Sequence, residues 1–287
     1  FIIHSPQGVL KTWMKKGIKG WRLDVADELP DEFIQEFARA MQELDEEAVL
    51  IGEVWEDASR KISYGKLRQY LWGNEFHGIM NYPVREIFID FLLGKADAWQ
   101  VHRRIMSLYE NYPRENFYGA MNLIGSHDRA RILTVLGETP PNLNPQEQEK
   151  FRLGREAKEL AIKRLKLLTL IQMTLPGVPS LYYGDEAGLE GYEDPYNRGT
   201  YPWGREDQTI LTWMKRVLHY RREYQVLIEG DFSSWPIDSQ VYGLKRSNVQ
   251  EEILLLINNS ERDYQVQIPL HHRLIMDIFQ GRVLSKG

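Results

Sequence analysis

The sequence predicts an α/β fold in which parallel strands alternate with helices and a small antiparallel β region follows. Five strand-then-helix units follow one another between residue 17 and about residue 224, and this order is typical of a parallel sheet with crossover helices. After about residue 229 the pattern changes to short alternating runs separated by polar turns. We therefore predict two domains, residues 1–229 and residues 230–287.

Helical spacing and turn residues indicate the individual elements. Residues 6–16 suggest a helix, and Gly17 and Gly20 introduce a strand that ends near Asp24. Apolar residues then recur at the period of a helix over 31–44. The further predicted elements are strands at 48–55 and 76–82, helices from Pro83 and over 97–110, a strand running into a loop at 119–128, a long helix over 147–174, a strand at 180–186, a helix over 207–224, and the short runs VYGLKR, ILLLIN and YQVQIP.

The number of strands indicates how much of a barrel the chain contains. A closed (β/α) barrel has eight strands, and its reactive residues lie at their carboxyl ends. Because about five strands are found, we expect the opening part of a barrel to be missing. Polar residues do follow the predicted strands, namely Asp24, Glu53, Asn81, His127–Asp128 and Asp185–Glu186.

Composition excludes several classes of function. The 287 residues carry a formal net charge of −5, with a pI near 5.9, which gives no electrostatic reason to expect nucleic acid or a membrane surface as partner. No apolar stretch is long enough for a membrane span. The absence of cysteine excludes disulfides and thiolate metal sites. The chain has no start methionine, so we expect it to be processed or excised.

Three acidic residues at the ends of different strands suggest acid–base chemistry. Asp24, Glu53 and Asp128 could supply the two differently protonated carboxyl groups that cleavage of an acetal requires. Arg22 shares a strand face with Asp24 and would keep it ionised, and we expect this pair to be buried. Glu53 stands beside apolar residues, which favour a protonated carboxyl and hence a proton donor. Taken singly, such residues are equally typical of helix caps or structural ion pairs, so this pattern alone leaves the chemistry open.

Three ordered motifs resemble those of one enzyme family. GWRLDVADE, IGEVWED and NLIGSHDRAR resemble the fourth-, fifth- and seventh-strand motifs of the alpha-amylase superfamily of glycoside hydrolases. PGVPSLYYGDEAGLEGYEDPYNRGTYPWG resembles the eighth strand and following loop of its neopullulanase, cyclomaltodextrinase and amylopullulanase branch. The resemblance implies an α/β chain that is the C-terminal portion of a (β/α)8 barrel, about strands 4 to 8, followed by a small antiparallel β domain.

The resemblance also implies roles for the motif residues. Asp24 matches the nucleophile, Glu53 the general acid and later base, and Asp128 the carboxylate that stabilises the transition state. Arg22 would orient the nucleophile, and His127 would contact the sugar. Further residues implied in substrate binding are Glu28, Trp55, Asp194 and Arg198. Trp55, Tyr82, Tyr183 and Trp203 could stack on sugar rings, and core packing is an equally good reading of each.

The implied activity is retaining hydrolysis, with transglycosylation as a variant, of α-1,4-glucosidic bonds in maltodextrins, cyclodextrins, pullulan or starch. The family's Asp-x-x-x-Asn-His motif is absent. We therefore expect the missing strands to come from a complementing N-terminal segment or from another copy in a homo-oligomer. The alternative is a non-catalytic member of the same fold that binds glucans or a protein partner.

Cofactors and location are less constrained. The chemistry requires no cofactor, and a structural calcium would need oxygen ligands that the sequence does not identify. His271–His272 lies far along the chain from the carboxylates and suggests a surface pair, so no histidine cluster supports a metal hydrolase. The resemblance leans slightly toward a cytoplasmic protein and leaves localisation undecided.

Overall fold

The computed structural model describes residues 1–140, 142–267, 274–280 and 282–285. Its strands are β1 Gly20–Leu23, β2 Val49–Gly52, β3 Ile62–Ser63, β4 Lys66–Leu67, β5 Gly78–Ile79, β6 Met121–Leu123, β7 Val178–Ser180, β8 Asp231–Asp238, β9 Val241–Ser247, β10 Glu252–Asn258, β11 Leu274–Asp277 and β12 Arg282–Ser285. Its α-helices are α1 Val9–Met14, α2 Asp31–Gln42, α3 Tyr82–Leu92, α4 Ala98–Asn111, α5 Arg114–Gly119, α6 Ile132–Leu136, α7 Pro145–Lys150, α8 Arg155–Thr174, α9 Gln208–Glu223 and α10 Val226–Glu229. Single 3₁₀ turns span Ala26–Glu28 and Tyr196–Arg198.

Five of these strands run parallel. Helices follow β1, β5, β6 and β7, whereas the β3–β4 hairpin lies between β2 and β5, so one of the five predicted strand-then-helix units lacks its helix. β1, β2 and β5 pair in that order, and β6 pairs with β7. A parallel bridge between Met80 and Met121 connects the two groups. Because the strands are parallel, the residues that follow them emerge at one edge of the sheet.

A second sheet is antiparallel and lies later in the chain. Its strands lie in the order β10-β9-β8. The pairing of β8 with β9 shifts register between Pro236 and Asp238. The apolar core continues from the helices into this sheet, because Phe88 and Phe91 of α3 pack on Tyr242 with ring centroids 6.0 and 6.3 Å apart. The two regions therefore share one core, and the division at residue 229 stays a prediction.

Local sequence explains where several helices begin. Asp97 and Gln100 form a reciprocal capping box at α4. The Asn81 side chain accepts a hydrogen bond from the Val84 amide, so the strand predicted over 76–82 ends early and α3 begins at Tyr82. Asn81, which the sequence suggested as a strand-end polar residue, is 2% exposed and serves as this cap.

The long helix predicted over 147–174 is wrong in one respect. α7 ends at Lys150 and α8 begins at Arg155, so the helix is interrupted. Gly154 precedes α8 with extended backbone angles, and the side chain of Leu153 turns inward beside Gly137. The buried leucine thus lies in the interruption between the two helices, which periodicity alone does not indicate.

Two predicted β segments also differ from the structure. The strand predicted at 180–186 lies at Val178–Ser180, because its partner β6 ends at Leu123, which is in register with Ser180. In YQVQIP, residues 264–267 form no strand, and the remainder lies outside the described residues. His271–His272 also lies outside the described residues.

Candidate active site

Strand register places the first two carboxylates side by side. Leu23 of β1 lies beside Gly52 of β2, and the Glu53 amide donates to the Leu23 carbonyl at 3.0 Å. Asp24 and Glu53 therefore leave adjacent strands at the same level. The sequence prediction that these acids follow neighbouring strands agrees with this arrangement.

Arg22 contacts both carboxylates. Its Nη1 lies 2.7 Å from Asp24 Oδ1, and its Nη2 lies 2.9 Å from Glu53 Oε1. The first contact is a hydrogen bond, whereas Nη2 lacks hydrogen-bond geometry and its contact is an ion pair. The Arg22 Nε also approaches Met80 Sδ at 3.1 Å. One guanidinium thus holds the two acids together.

The prediction that Arg22 and Asp24 form a buried pair is wrong. The Arg22 side chain is 31% exposed and that of Asp24 is 67% exposed. In the described residues β1 pairs with β2 and with no strand on its other side. The nucleophile candidate therefore faces an open edge of the sheet.

Glu53 is buried, but among hydrogen-bond donors rather than apolar groups. Its side chain is 5% exposed. Its Oε2 accepts a hydrogen bond from the Val25 amide at 2.7 Å, and its Oε1 accepts one from Trp55 Nε1 at 3.1 Å. The surroundings of Glu53 are more polar than its sequence neighbours suggest, since Trp55 contributes its N–H group.

The acid at position 24 is held in its ionised form. A side-chain hydrogen bond with Glu53, followed by the hydrogen bond and charge of Arg22, lowers the pKa of Asp24 below its usual value. A more distant contribution comes from His127. An ionised, oriented carboxylate is what a nucleophile at an acetal carbon requires.

The third carboxylate joins the same cavity. Asp128 Oδ2 lies 3.3 Å from His127 Nε2, and the Asp128 amide donates to Ser126 Oγ at 3.2 Å. Tyr82 in turn hydrogen-bonds Ser126 at 3.1 Å. A cavity of about 310 Å³ is lined by Asp24, Val25, Asp27, Glu28, Glu53, Trp55, Glu56, His127 and Asp128.

Aromatic residues differ in their positions around this cavity. Trp55 is 43% exposed at the cavity wall, and the Arg129 guanidinium lies 4.2 Å from its ring centre. Tyr82 is buried behind Trp55, with ring centroids 5.4 Å apart. Tyr183 and Trp203 are exposed and do not line the cavity. Of the four aromatic candidates, Trp55 is thus the one whose ring can meet a ligand in this cavity.

Asp194 and Arg198 do not line the cavity. They pair with each other at 3.0 Å, and both are exposed. Their loop nevertheless contacts the Asp128 loop, because Asn197 Nδ2 donates to the carbonyls of His127 at 2.7 Å and of Arg129 at 2.9 Å.

The sequence prediction missed several polar neighbours. Asp27 lies in the 3₁₀ turn Ala26–Glu28 and also lines the cavity. Lys61 connects Asp27 and Glu56 by two ion pairs. The ordered acids in VADE and EVWED could have indicated this ring of acids, whereas nothing local indicates Lys61 as their shared cation.

Asp185, another strand-end candidate, belongs to a separate cluster. It is 1% exposed and pairs with the equally buried Arg131 at 3.1 Å. Burial raises the pKa of Asp185 to about 7, with Arg131 opposing the shift. Its position suggests a structural role in joining the loops after β6 and β7.

Metal and membrane sites have little support in the part of the chain that the structure describes. No group of three or more His, Cys, Asp or Glu side chains there could hold a metal ion. A structural calcium therefore stays a prediction without assigned ligands. Among the same residues, no helix has the length and apolar character needed to cross a membrane.

The fold and the site together define a class, that of α/β proteins with clustered carboxylates at the carboxyl ends of parallel strands. The family profile described as "Alpha amylase, catalytic domain" matches residues 4–216. The chain therefore belongs to the alpha-amylase family of glycoside hydrolases, as the motifs predict.

Curated relatives belong to the branch that the sequence suggests. An amylopullulanase of Thermoanaerobacter thermohydrosulfuricus is 41% identical over 263 residues, which cover 86% of this chain and 17% of that protein. Neopullulanase 2 of Thermoactinomyces vulgaris is 32% identical over 268 residues, covering 91% of this chain and 40% of that protein. A cyclomaltodextrinase of Geobacillus thermopakistaniensis is 31% identical, with 91% and 40% covered. The chain thus spans well under half of these relatives.

Two solved structures of named hydrolases are also similar to this chain. A cyclomaltodextrinase superposes with a TM-score of 0.77 at 28% identity, covering 93% of this chain and 42% of that chain. The cyclic alpha-maltosyl-(1→6)-maltose hydrolase of Arthrobacter globiformis superposes with a TM-score of 0.73 at 25% identity, covering 87% of this chain and 50% of that chain.

Proposed function

We propose that this chain carries the catalytic carboxylates of a retaining hydrolase of α-1,4-glucosidic bonds. Asp24 attacks the anomeric carbon, and Glu53 protonates the leaving oxygen and later activates water. Asp128 binds sugar hydroxyls and stabilises the distorted ring. The observation that carries the proposal is the cavity in which these three carboxylates converge.

The first two acids lie close together, as a retaining mechanism requires. Retaining enzymes hold their two carboxyl groups about 5 Å apart, whereas inverting enzymes leave room for a water molecule between acid and base. Here the two Nη atoms of Arg22 contact Asp24 at 2.7 Å and Glu53 at 2.9 Å. A shared guanidinium requires the carboxyl groups to be close neighbours.

The substrate class follows from the relatives. Proteins named amylopullulanase, neopullulanase and cyclomaltodextrinase share 31 to 41% identity with this chain. We therefore propose maltodextrins, cyclodextrins, pullulan or starch as substrates, with Glu28 and Trp55 as cavity contacts. Asp194 and Arg198 would bind a sugar unit farther along the same face.

We further propose that the complete barrel needs strands from polypeptide outside these residues. Within the described part of the chain, β1 and β7 each have a strand neighbour on one side only. An open cavity of about 1360 Å³ lies against the sheet, and its lining includes Val49, Ile51, Met121 and Val178. Val178 is 54% exposed, and an apolar edge strand of this kind favours pairing with further strands.

Hydrolysis of β-cyclodextrin and pullulan tests the proposal on the protein that contains this chain. Glu53→Gln should abolish turnover while substrate binding persists, because the proton donor is lost and the cavity shape is kept. Arg155→Gln, at an exposed position on α8, is the control that should retain activity. Full turnover by Glu53→Gln would contradict its role, and glucan binding without any hydrolysis by the unmodified protein would favour the non-catalytic alternative.

A further inference from the structure

The turn that follows Asp24 is strained. Val25 has φ 44° and ψ 58°, a left-handed conformation. A β-branched residue is rarely found there, because its Cβ branches crowd the neighbouring peptide groups. Its side chain is 48% exposed, so burial of the valine side chain does little to compensate. Something else must hold this conformation.

The strained conformation serves Glu53. A left-handed residue followed by a right-handed one turns successive N–H groups to the same side of the chain. The Val25 amide donates to the Glu53 carboxylate at 2.7 Å, and the Ala26 amide donates to the Glu53 carbonyl at 3.1 Å. The turn therefore connects the two catalytic candidates through the backbone.

A buried arginine holds the segment that follows. Arg68 is 4% exposed, and its Nη1 donates to the Asp27 carbonyl at 2.9 Å. Its Nη2 donates to the Leu29 carbonyl at 2.6 Å, and its Nε donates to Asp31 Oδ1 at 2.7 Å. Its Nη2 also donates to the Ala26 carbonyl at 3.4 Å, so Arg68 fixes the backbone from one to four residues after Val25.

Three further side chains converge on Asp27. Ser63 Oγ donates to the Asp27 carbonyl at 2.9 Å, and Tyr70 donates its hydroxyl proton to Asp27 Oδ1 at 2.7 Å. Lys61 Nζ lies 2.9 Å from Asp27 Oδ2. With Arg68, these residues lie in or beside the β3–β4 hairpin, and we call the four of them the Asp27 clamp.

We propose that the Asp27 clamp is a positioning device that holds Val25 in its left-handed conformation and so sets Asp24 against Glu53. This rests on the proposed function, which makes those two acids the catalytic pair. In the described residues no clamp side chain hydrogen-bonds to Asp24 or Glu53, so the clamp acts through the backbone of the turn. The hairpin thus has a role that its distance from the carboxylates along the chain does not suggest.

Arg68→Lys tests the clamp, because lysine keeps the charge but cannot reach three carbonyls and a carboxylate together. Arg221→Lys is the matched control, since Arg221 is 8% exposed and donates to the carbonyls of Met173, Leu175 and Gly177, away from the site. We expect the Val25 and Ala26 amides to exchange with solvent at least tenfold faster in Arg68→Lys than in Arg221→Lys. The NMR titration of Asp24 should also move upward in Arg68→Lys alone.

Glycine at position 25 provides a rescue that a merely structural role would not show. Glycine adopts the left-handed conformation without help, so Val25→Gly in the Arg68→Lys background should return the Asp24 titration toward that of the unmodified protein. In a preparation that hydrolyses glucans, Arg68→Lys should lower kcat about tenfold with KM little changed, and Val25→Gly should recover most of this loss. If Arg68→Lys does not fold, Lys61→Met replaces it, with the same results expected to a smaller degree.

Several outcomes would overturn the proposal. Equal exchange at Val25 in the two arginine variants, or no rescue by glycine, would show that the clamp does not hold the turn. Altered exchange and titration with unchanged kcat would show that the turn does not position the acids. The exchange and titration results stand without hydrolysis, so altered exchange and rescue in a protein that cleaves no glucan would support the clamp while the proposed function fails.

Discussion

Replacing Arg22 with methionine removes the guanidinium that Asp24 and Glu53 share. Methionine keeps much of the side-chain length and packs against apolar neighbours, so the variant isolates the charge. The two contacts differ in their surroundings, because the Glu53 side chain is 5% exposed and that of Asp24 is 67% exposed. The effect on the free energy of unfolding should therefore come mostly from Glu53.

The size of the effect follows from this difference. Removing one partner of a buried ion pair costs about 3–5 kcal/mol, whereas a solvent-exposed ion pair contributes about 0–1 kcal/mol. Glu53 keeps its hydrogen bonds from Val25 and Trp55, which limits the loss. We expect Arg22→Met to lower the free energy of unfolding by about 2–3 kcal/mol at pH 7. In thermal unfolding this corresponds to a decrease in Tm of roughly 3–5 °C.

Urea denaturation at pH 7 measures the effect, with Arg155→Met as the exposed control. Arg155 lies 3.7 Å from Glu159 on α8, and its side chain is 89% exposed, so its replacement should change stability little. A double-mutant cycle of Arg22→Met with Glu53→Gln should give a coupling of about 1.5 kcal/mol or more, because the two residues are in contact. Equal stability of the two methionine variants, or a coupling near zero, would refute this account of the site.

Three further predictions follow from other parts of the structure. Burial raises the pKa of Asp185 from 3.8 to about 7. Between these two pH values the folded state holds a proton that the unfolded state has lost, so the free energy of unfolding should fall as the pH rises through this interval. Asp185→Asn should therefore flatten the pH profile of the urea midpoints. Gly78→Ala should lower the free energy of unfolding by about 2 kcal/mol or more, because the added Cβ would lie 2.2 Å from the Gly119 carbonyl oxygen. Gly154→Ala is the control and should be nearly neutral in the same denaturation assay, because no atom lies within 4 Å of the added Cβ. Trp55→Phe removes the N–H group that donates to Glu53 at 3.1 Å. The variant should have a kcat/KM on pullulan that is roughly tenfold lower. An unchanged pH–rate profile would argue against a role for that hydrogen bond.

The order of strands and helices was enough to predict a parallel sheet and the level at which its acids lie, although no helix separates β2 from β5. Residues that follow adjacent parallel strands emerge together, and Leu23 in register with Gly52 places Asp24 and Glu53 accordingly. The exposure of Asp24 could not be predicted in the same way. It depends on which strands flank β1, and that is a property of the assembled sheet rather than of GWRLDVADE.

Tertiary contacts account for the other differences. The left-handed Val25 has no local signal, because glycine or asparagine would be the usual residue at such a turn. Its conformation instead depends on contacts from the β3–β4 hairpin, more than thirty residues later, such as that of Arg68 with Asp27. In the same way, the donors around Glu53 include the N–H of Trp55, a residue whose apolar ring suggested the opposite environment.

Trapping the covalent intermediate tests the central claim most directly. A 5-fluoroglycosyl fluoride slows turnover of a retaining α-glycosidase at the glycosyl-enzyme stage, and peptide mass spectrometry then locates the ester. For the protein that contains this chain, we predict a single glycosyl group on Asp24, with Glu53→Gln as a variant that should also be labelled because the activated fluoride needs no proton donor. An ester on another residue, or no label in a preparation that hydrolyses pullulan, would contradict the assignment of Asp24 as the nucleophile.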